Sequence, residues 1–304
     1  MTPNRQWVEF PTLDGLILRG WLYPAQTRGP AIILNPGFNC VKEMFVPEVA
    51  AQFQNANITA LIYDTRSLGQ SDGEPRNELD PALQVSDFSD ALSFMKTLPI
   101  VDPAMIGFWG MSFGATVALC AASLDERAKW CIAVCPLVQV KPRQDMLARV
   151  LRKTMKDRES RLLGNTATFL PVLTENRENP AGMGMVVNDE GYEYIMNVKN
   201  HGAPNYENQT TMQTYYRLIS WQPFEVMRYL HVRPSRASIL MIVPENDQMS
   251  PPETQMKWFD SFPEPKKIHV AIGKGHLDVL SGGDSQILAD LQVKFLLDII
   301  KAKP

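Results

Sequence analysis

Short apolar runs bounded by glycine and proline recur along the chain, at residues 31–34, 58–63, 105–109, 131–135, 238–243 and 267–272. Each run is nearly continuous rather than alternating, the pattern of strands covered on both faces of a parallel sheet. Between the runs, residues 47–55, 87–97 and 114–124 space their apolar side chains at helical intervals; Phe88, Ala91, Leu92 and Met95 fall on one stripe. The closing segment 285–301 repeats that spacing with Ile287, Leu288, Leu291, Phe295, Leu296 and Ile299. Strand alternating with helix predicts βαβ units. Ahead of them, residues 7–10 and 16–23 flank a turn at Asp14-Gly15 and predict a hairpin.

The interval 138–236 breaks the alternation. It is rich in Arg, Lys, Met and Asn, shows no clear strand, and contains helix-like pieces at 144–157 and 210–219. A structureless loop of that length is foreign to a compact domain, so an inserted, mainly helical cap is expected. Met146, Met155, Met183, Met185, Met196, Met212 and Met227 all fall within it. Flexible thioethers suit an adaptable apolar pocket wall, although each is equally serviceable as core filler. The predicted organisation is an α/β core in two parts, 1–137 and 237–304, with a cap at 138–236. The sheet is expected to be mostly parallel and flanked by helices.

Composition narrows the class. Of 304 residues, 45% are hydrophobic and 21% charged, which is ordinary globular usage. Thirty Lys and Arg against 33 Asp and Glu give a net charge of −3, without the basic excess of a nucleic-acid binder. No window is long and apolar enough for a membrane helix, and residues 1–6 lead into no apolar signal core, so a cytoplasmic protein is expected. Cys40, Cys120, Cys131 and Cys135 form neither a disulfide framework nor a usual zinc spacing. Neither metal nor cofactor is expected.

The chemistry centres on Gly110-Met111-Ser112-Phe113-Gly114, which follows an apolar strand and precedes a helical segment. In that context G-x-S-x-G forms a nucleophile elbow, a tight turn that lifts the serine hydroxyl above the sheet at a helix N-terminus. A serine needs a base, and the chain has four histidines. His269 is mid-strand, and His201 and His231 lie in the cap interval. His276 sits on the glycine-rich loop after the last predicted strand, where it reaches the sheet edge beside Ser112. The loop after the 238–243 strand offers Glu245 and Asp247 to orient the imidazole; Asp247, deeper in the turn, is preferred. Asp278 is close to His276 in sequence but is expected to point away. An oxyanion hole needs two N–H donors. Phe113 supplies the first, and Asn35-Pro36-Gly37-Phe38-Asn39 the second, with Phe38 as the donor and the Asn39 side-chain amide as the alternative. The stretch containing Asp64, Arg66, Gly69, Ser71 and Gly73 is assigned a structural role.

With this elbow, the order Ser112, Asp247, His276 and the loop 63–73, the whole chain resembles the α/β-hydrolase superfamily, in its dienelactone-hydrolase-like and X-Pro-peptidase-like branch. Residues 36–45 and 213–223 look like those of fungal polyketide-pathway hydrolases, among them thiohydrolases and the polyketide transferase of fumagillin-type pathways. The resemblance implies acyl transfer from a polyketide thioester or ester through an acyl-serine, in secondary metabolism. Water or an alcohol is the acceptor; the choice stays open, because Asn39-Cys40 stands where those enzymes commonly carry a glycine-containing loop. The expected partner is a small-molecule acyl substrate, in one delivery mode a thioester on a carrier protein, and a second copy in a homodimer. Met146, Met183, Tyr215 and Trp221 are the cap candidates for substrate contact. Rival readings are a non-hydrolytic cyclase or lyase using the same pocket for acid–base chemistry, and a non-catalytic ligand-binding member of the fold.

Overall fold

The computed structural model describes residues 4–138, 142–183, 187, 189–233, 237–282 and 285–301. Strands β1 (Gln6–Pro11) and β2 (Ile17–Tyr23) form the expected antiparallel hairpin. β3 (Gly29–Asn35), α1 (Val46–Asn55), β4 (Thr59–Tyr63), α2 (Pro81–Met95), β5 (Val101–Met111), α3 (Phe113–Leu124) and β6 (Ala128–Val134) follow. The next stretch holds α4 (Gln144–Leu162), β7 (Phe169–Leu170), α5 (Asp189–Asn197), β8 (Thr210–Thr211), α6 (Met212–Ser220) and α7 (Pro223–Met227). β9 (Ser238–Pro244), α8 (Pro252–Asp260), β10 (Lys266–Ala271) and α9 (Ser285–Lys301) complete the described chain.

One eight-stranded sheet runs β1-β2-β4-β3-β5-β6-β9-β10. β2 is antiparallel to both its neighbours, and every pairing from β4–β3 onward is parallel. Successive strand residues point to opposite faces, so Phe108 packs with α2 and α3 while Trp109 packs with α1 and α9. The Phe108 ring and the Trp109 indole are both fully buried, which makes three layers. Trp109 also donates from Nε1 to Gln292 Oε1 at 2.6 Å, tying α9 to the sheet. This is the helix-flanked, mostly parallel α/β architecture that the sequence predicts.

Three expectations need adjustment. α2 starts at Pro81 rather than at residue 87, because Asp80 accepts the N–H groups of Ala82 and Leu83 and Pro81 suits the first helical position. α4 continues through Leu162, past residue 157. Thr210 and Thr211 are strand, not helix: they pair with Phe169–Leu170, and their hydroxyls bond Asn77 O and Glu78. Met185 and Arg236 lie outside the described residues.

Polar bonds fasten the helices of this stretch to the core. Leu79 N–H donates to Thr214 Oγ1 at 2.9 Å, and Arg161 and Arg217 both pair with Glu78, at 2.7 and 2.9 Å. Arg217 also pairs with Asp80. Apolar contact adds to them: Met212, Tyr215, Leu218, Trp221 and Met227 join the cluster that holds α2 and α3. No helix among the described residues is long and apolar enough to cross a membrane.

Candidate active site

Ser112 sits between β5 and α3 with φ 56° and ψ −125°, a conformation costly for a residue carrying a Cβ. The turn that imposes it is possible only because its flanks carry no side chain. A Cβ on Gly110 would lie 2.3 Å from Gly114 O, and one on Gly114 would lie 2.0 Å from Pro36 O. Strand, helix and the loop after β3 therefore meet at van der Waals closeness around the serine. Ser112 N–H donates to Val134 O at 2.9 Å, and Leu137 N–H to Ser112 O at 3.1 Å, which pins the elbow to the end of β6.

Three loops at the carboxyl edge of the sheet bring the sequence-predicted relay together. His276 Nε2 lies 2.7 Å from Ser112 Oγ, and His276 Nδ1 lies 2.8 Å from Asp247 Oδ2 and 2.9 Å from Oδ1. Asp247 is itself held by Met249 N–H at 3.0 Å, Ser250 N–H at 2.8 Å and Gln255 Nε2 at 2.9 Å. Cys135 joins Asp247 and His276 in one buried grouping, in which these hydrogen bonds already occupy the Asp247 oxygens. Burial alone would lower the proton affinity of His276. The neighbouring Cys135 sulfur and the Asp247 carboxylate more than reverse this, and hold the imidazole above the ordinary histidine value.

The alternatives separate cleanly. Glu245 accepts Gly273 N–H at 2.8 Å, and Asp278 accepts Gly275 N–H at 2.7 Å; each shapes the histidine loop without orienting the ring. His201 bonds Asn197 O and His231 bonds Ser261 O, both at exposed positions.

Phe113 opens α3, so its N–H has no acceptor one turn earlier in the helix. The loop carrying Phe38 presses on the elbow: a Cβ on Gly37 would sit 3.5 Å from Ser112 Cβ. The Phe38 and Phe113 rings meet edge to face with centroids 5.5 Å apart. Asn39 does not face the serine. Its amide donates to Glu207 O at 2.7 Å, linking this loop to the segment before β8. In the loop 63–73, Asp64 accepts the N–H groups of Lys42 and Gln70 at 2.8 and 2.9 Å, and Arg66 pairs with Asp87 at 2.5 Å and Asp14 at 2.7 Å.

The four cap candidates divide. Trp221 packs its ring against Phe113, with centroids 5.7 Å apart. Tyr215 is fully buried, and its hydroxyl receives Asn179 Nδ2 at 3.0 Å, which makes it core. Met183 belongs to the same cluster, and Met146 packs at its edge. None of the four lines the cavity of about 780 Å³ that has His276 in its wall; Glu43, Phe45, Tyr194 and Met249 do. Sequence reasoning missed Ser250 and Gln255, the braces of Asp247. The only signal was Pro251-Pro252, which marks a helix start and would have placed Gln255 one turn into α8.

Residues 27–278 match the family described as serine aminopeptidase, S33. A thiohydrolase of Eupenicillium brefeldianum is 60% identical over 292 residues, 96% of this chain and 94% of that protein. The polyketide transferase claH of Penicillium crustosum is 42% identical over 303 residues, 97% of each. The crystal structure of the α/β-hydrolase GrgF from Penicillium sp. sh18 superposes with a TM-score of 0.86 at 40% identity, covering 96% of this chain and 98% of that one.

Proposed function

The chain belongs to the serine aminopeptidase S33 family of hydrolases, and from that premise we propose that it is a serine-dependent acyl hydrolase or acyltransferase working through an acyl-Ser112 intermediate. The observation that carries this reading is the relay itself. Oγ, Nε2, Nδ1 and the Asp247 carboxylate stand in one hydrogen-bonded line at 2.7 and 2.8 Å, at the mouth of a strand–turn–helix elbow.

Ser112 Oγ attacks the acyl carbonyl carbon while its proton passes to His276 Nε2. Asp247 stabilises the imidazolium that results and fixes the ring so that Nε2 faces Oγ. The N–H groups of Phe38 and Phe113 receive the carbonyl oxygen as it becomes an oxyanion, helped by the positive end of α3. As the intermediate collapses, the C–S or C–O bond to the leaving group breaks and the imidazolium protonates the departing sulfur or oxygen. In the second half, His276 takes a proton from water or an alcohol, that oxygen attacks the acyl carbon, the acyl–Oγ bond breaks, and the proton returns to Ser112 Oγ. The names of the relatives, a thiohydrolase and a polyketide transferase, support a polyketide-type acyl group carried as a thioester or ester. Residues 138–236 act in this reading as the cap over the site.

The test is turnover of a p-nitrophenyl ester, with a fluorophosphonate probe to trap the nucleophile. Ser112→Ala is expected to lower the rate by several orders of magnitude, towards the order of 10⁶ seen when a triad member is lost, and to abolish labelling. Undiminished turnover in Ser112→Ala, or a probe adduct on another residue, would sink the proposal.

A further inference from the structure

α4 turns three residues inward, Val150, Thr154 and Asp157. Its exposed side carries Arg149, Arg152, Lys153 and Lys156. These positions are spaced i, i+3, i+4 and i+7, so the four cations share an arc of about 100° and a length of about 10 Å. Several other arginines of the 138–236 stretch are neutralised, Arg161 and Arg217 by Glu78, Arg177 by Asp189, Arg143 by Asp145 and Arg228 by Glu225, while Arg158, on another side of α4, has no ion pair among the described residues. Among the described residues, none of the four cations has an ion pair or a side-chain hydrogen bond. The nearest acids on the helix do not serve them. Asp157 is buried and bonded to Gln213, Asp145 faces Arg143, and Glu159 stands at the flank.

Four like charges so placed repel one another across both the i,i+3 and the i,i+4 spacings, each contact disfavouring the isolated helix. A counter-charged surface removes that repulsion and gains steering as well. The chain as a whole is acidic, at −3, so the stripe is a local feature set against the overall charge. Exposed apolar side chains adjoin it: Met155 on the same helix, and Leu162 and Leu163 where the helix ends. A positive stripe two turns long beside an apolar patch is complementary to an acidic amphipathic helix of matching repeat. An extended polyanion would instead need basic charge over a wider surface.

We propose that the outer face of α4 docks an acidic, helical carrier protein that presents the acyl group to Ser112 as a thioester. The inference rests on the acyl-transfer reading above and assigns its donor a carrier and a landing surface.

The experiment compares two donors of one hexanoyl group: a small acidic acyl carrier protein loaded through its phosphopantetheine arm, and the free N-acetylcysteamine thioester. The readout is the ratio of kcat/KM for the carrier-borne donor to that for the free thioester. In the triple variant Arg152→Glu, Lys153→Glu, Lys156→Glu the ratio is expected to fall at least tenfold, chiefly through KM. Raising NaCl from about 50 to 300 mM should lower the ratio in the unmodified protein and barely move it in the variant. A matching triple change to Gln should fall between the two. Because both donors are read on one preparation, misfolding cancels from the ratio. A ratio indifferent to charge reversal overturns the docking surface. So does a carrier-borne donor used no better than the free thioester by the unmodified protein, or binding of anionic vesicles or duplex DNA through these residues in place of the carrier. Failure of the acyl-transfer reading itself has a different signature: the unmodified protein would then leave the free thioester intact.

Discussion

α3 and α4 are both regular helices, and they are held in opposite ways. Every residue of α3 from Phe113 to Ser123 is buried, clamped between the sheet, α2 and α7 by small apolar side chains. α4 is longer and buries three residues, two of them polar, and its attachment runs through hydrogen bonds: Gln213 Nε2 to Thr154 O and to Asp157 Oδ2, both at 2.8 Å. Close packing permits almost no displacement, and in the proposed mechanism the first residues of α3 sit within hydrogen-bond distance of the reacting carbonyl. Polar anchoring fixes an element at a few points and leaves its outer face free to change. On the reading proposed above, the difference separates the part of the molecule that performs chemistry from the part that receives the donor.

Three substitutions sharpen that contrast, in descending order of effect. Asp247→Asn strikes the rigid side. It is expected to lower kcat by about 10⁴, since an amide there favours the wrong imidazole tautomer. The pH profile gives a second readout. His276 must be neutral to accept the Ser112 proton, and its proton affinity is raised, so kcat/KM should climb with pH through a midpoint above the ordinary histidine value. Removing the carboxylate should move that limb downward; a limb that does not move would separate Asp247 from His276. The same raised value has a stability consequence. The imidazolium–carboxylate pair contributes fully below the unfolded-state pKa, and that contribution is lost as pH rises through the folded one.

Gly114→Ala breaks the packing itself. With Pro36 O 2.0 Å from the new Cβ, backbone must give way, at an expected cost of about 3 kcal/mol. In a chain of this size that lowers the thermal midpoint by roughly 5 °C. An unchanged midpoint would show that elbow and loop can part without strain. Gln213→Ala tests the other side, leaving Asp157 Oδ2 and Thr154 O without this donor, at about 1–3 kcal/mol. Hydrogen exchange should quicken along α4 and α6 while β5 amides keep their protection. Equal loosening of β5 would mean that the two regions unfold as one.

Most of the core is legible from residue pattern because its cause is local. Continuous apolar runs such as 238–243 have one good solution, a strand covered on both faces, and the glycines around Ser112 admit one backbone path. His276 and Asp247 were within reach because a parallel sheet delivers every strand's following loop to the same edge. What escaped is what depends on partners far away in sequence. Tyr215 and Trp221 look alike as aromatic positions near α6; only the fold shows that Asn179 buries one while Phe113 receives the other. Thr210 and Thr211 carry a helical neighbourhood, yet they pair as a strand with Phe169–Leu170, and their hydroxyls bond Asn77 and Glu78, more than a hundred residues upstream. The Asn39 amide points to Glu207 for the same reason. The outward charge of α4 was present in the sequence, but its significance required knowing which acids had already been spent on other arginines.

The two glycines of the elbow carry a consequence for descent. Each is closed to every other amino acid by backbone atoms rather than by side chains that could shrink in compensation, so no second substitution reopens the position. The outer face of α4, by contrast, is held by no such backbone contact and accepts substitutions one at a time. The serine's setting cannot be left by any such step. Change in a chain that keeps this turn is therefore confined to positions other than these two glycines.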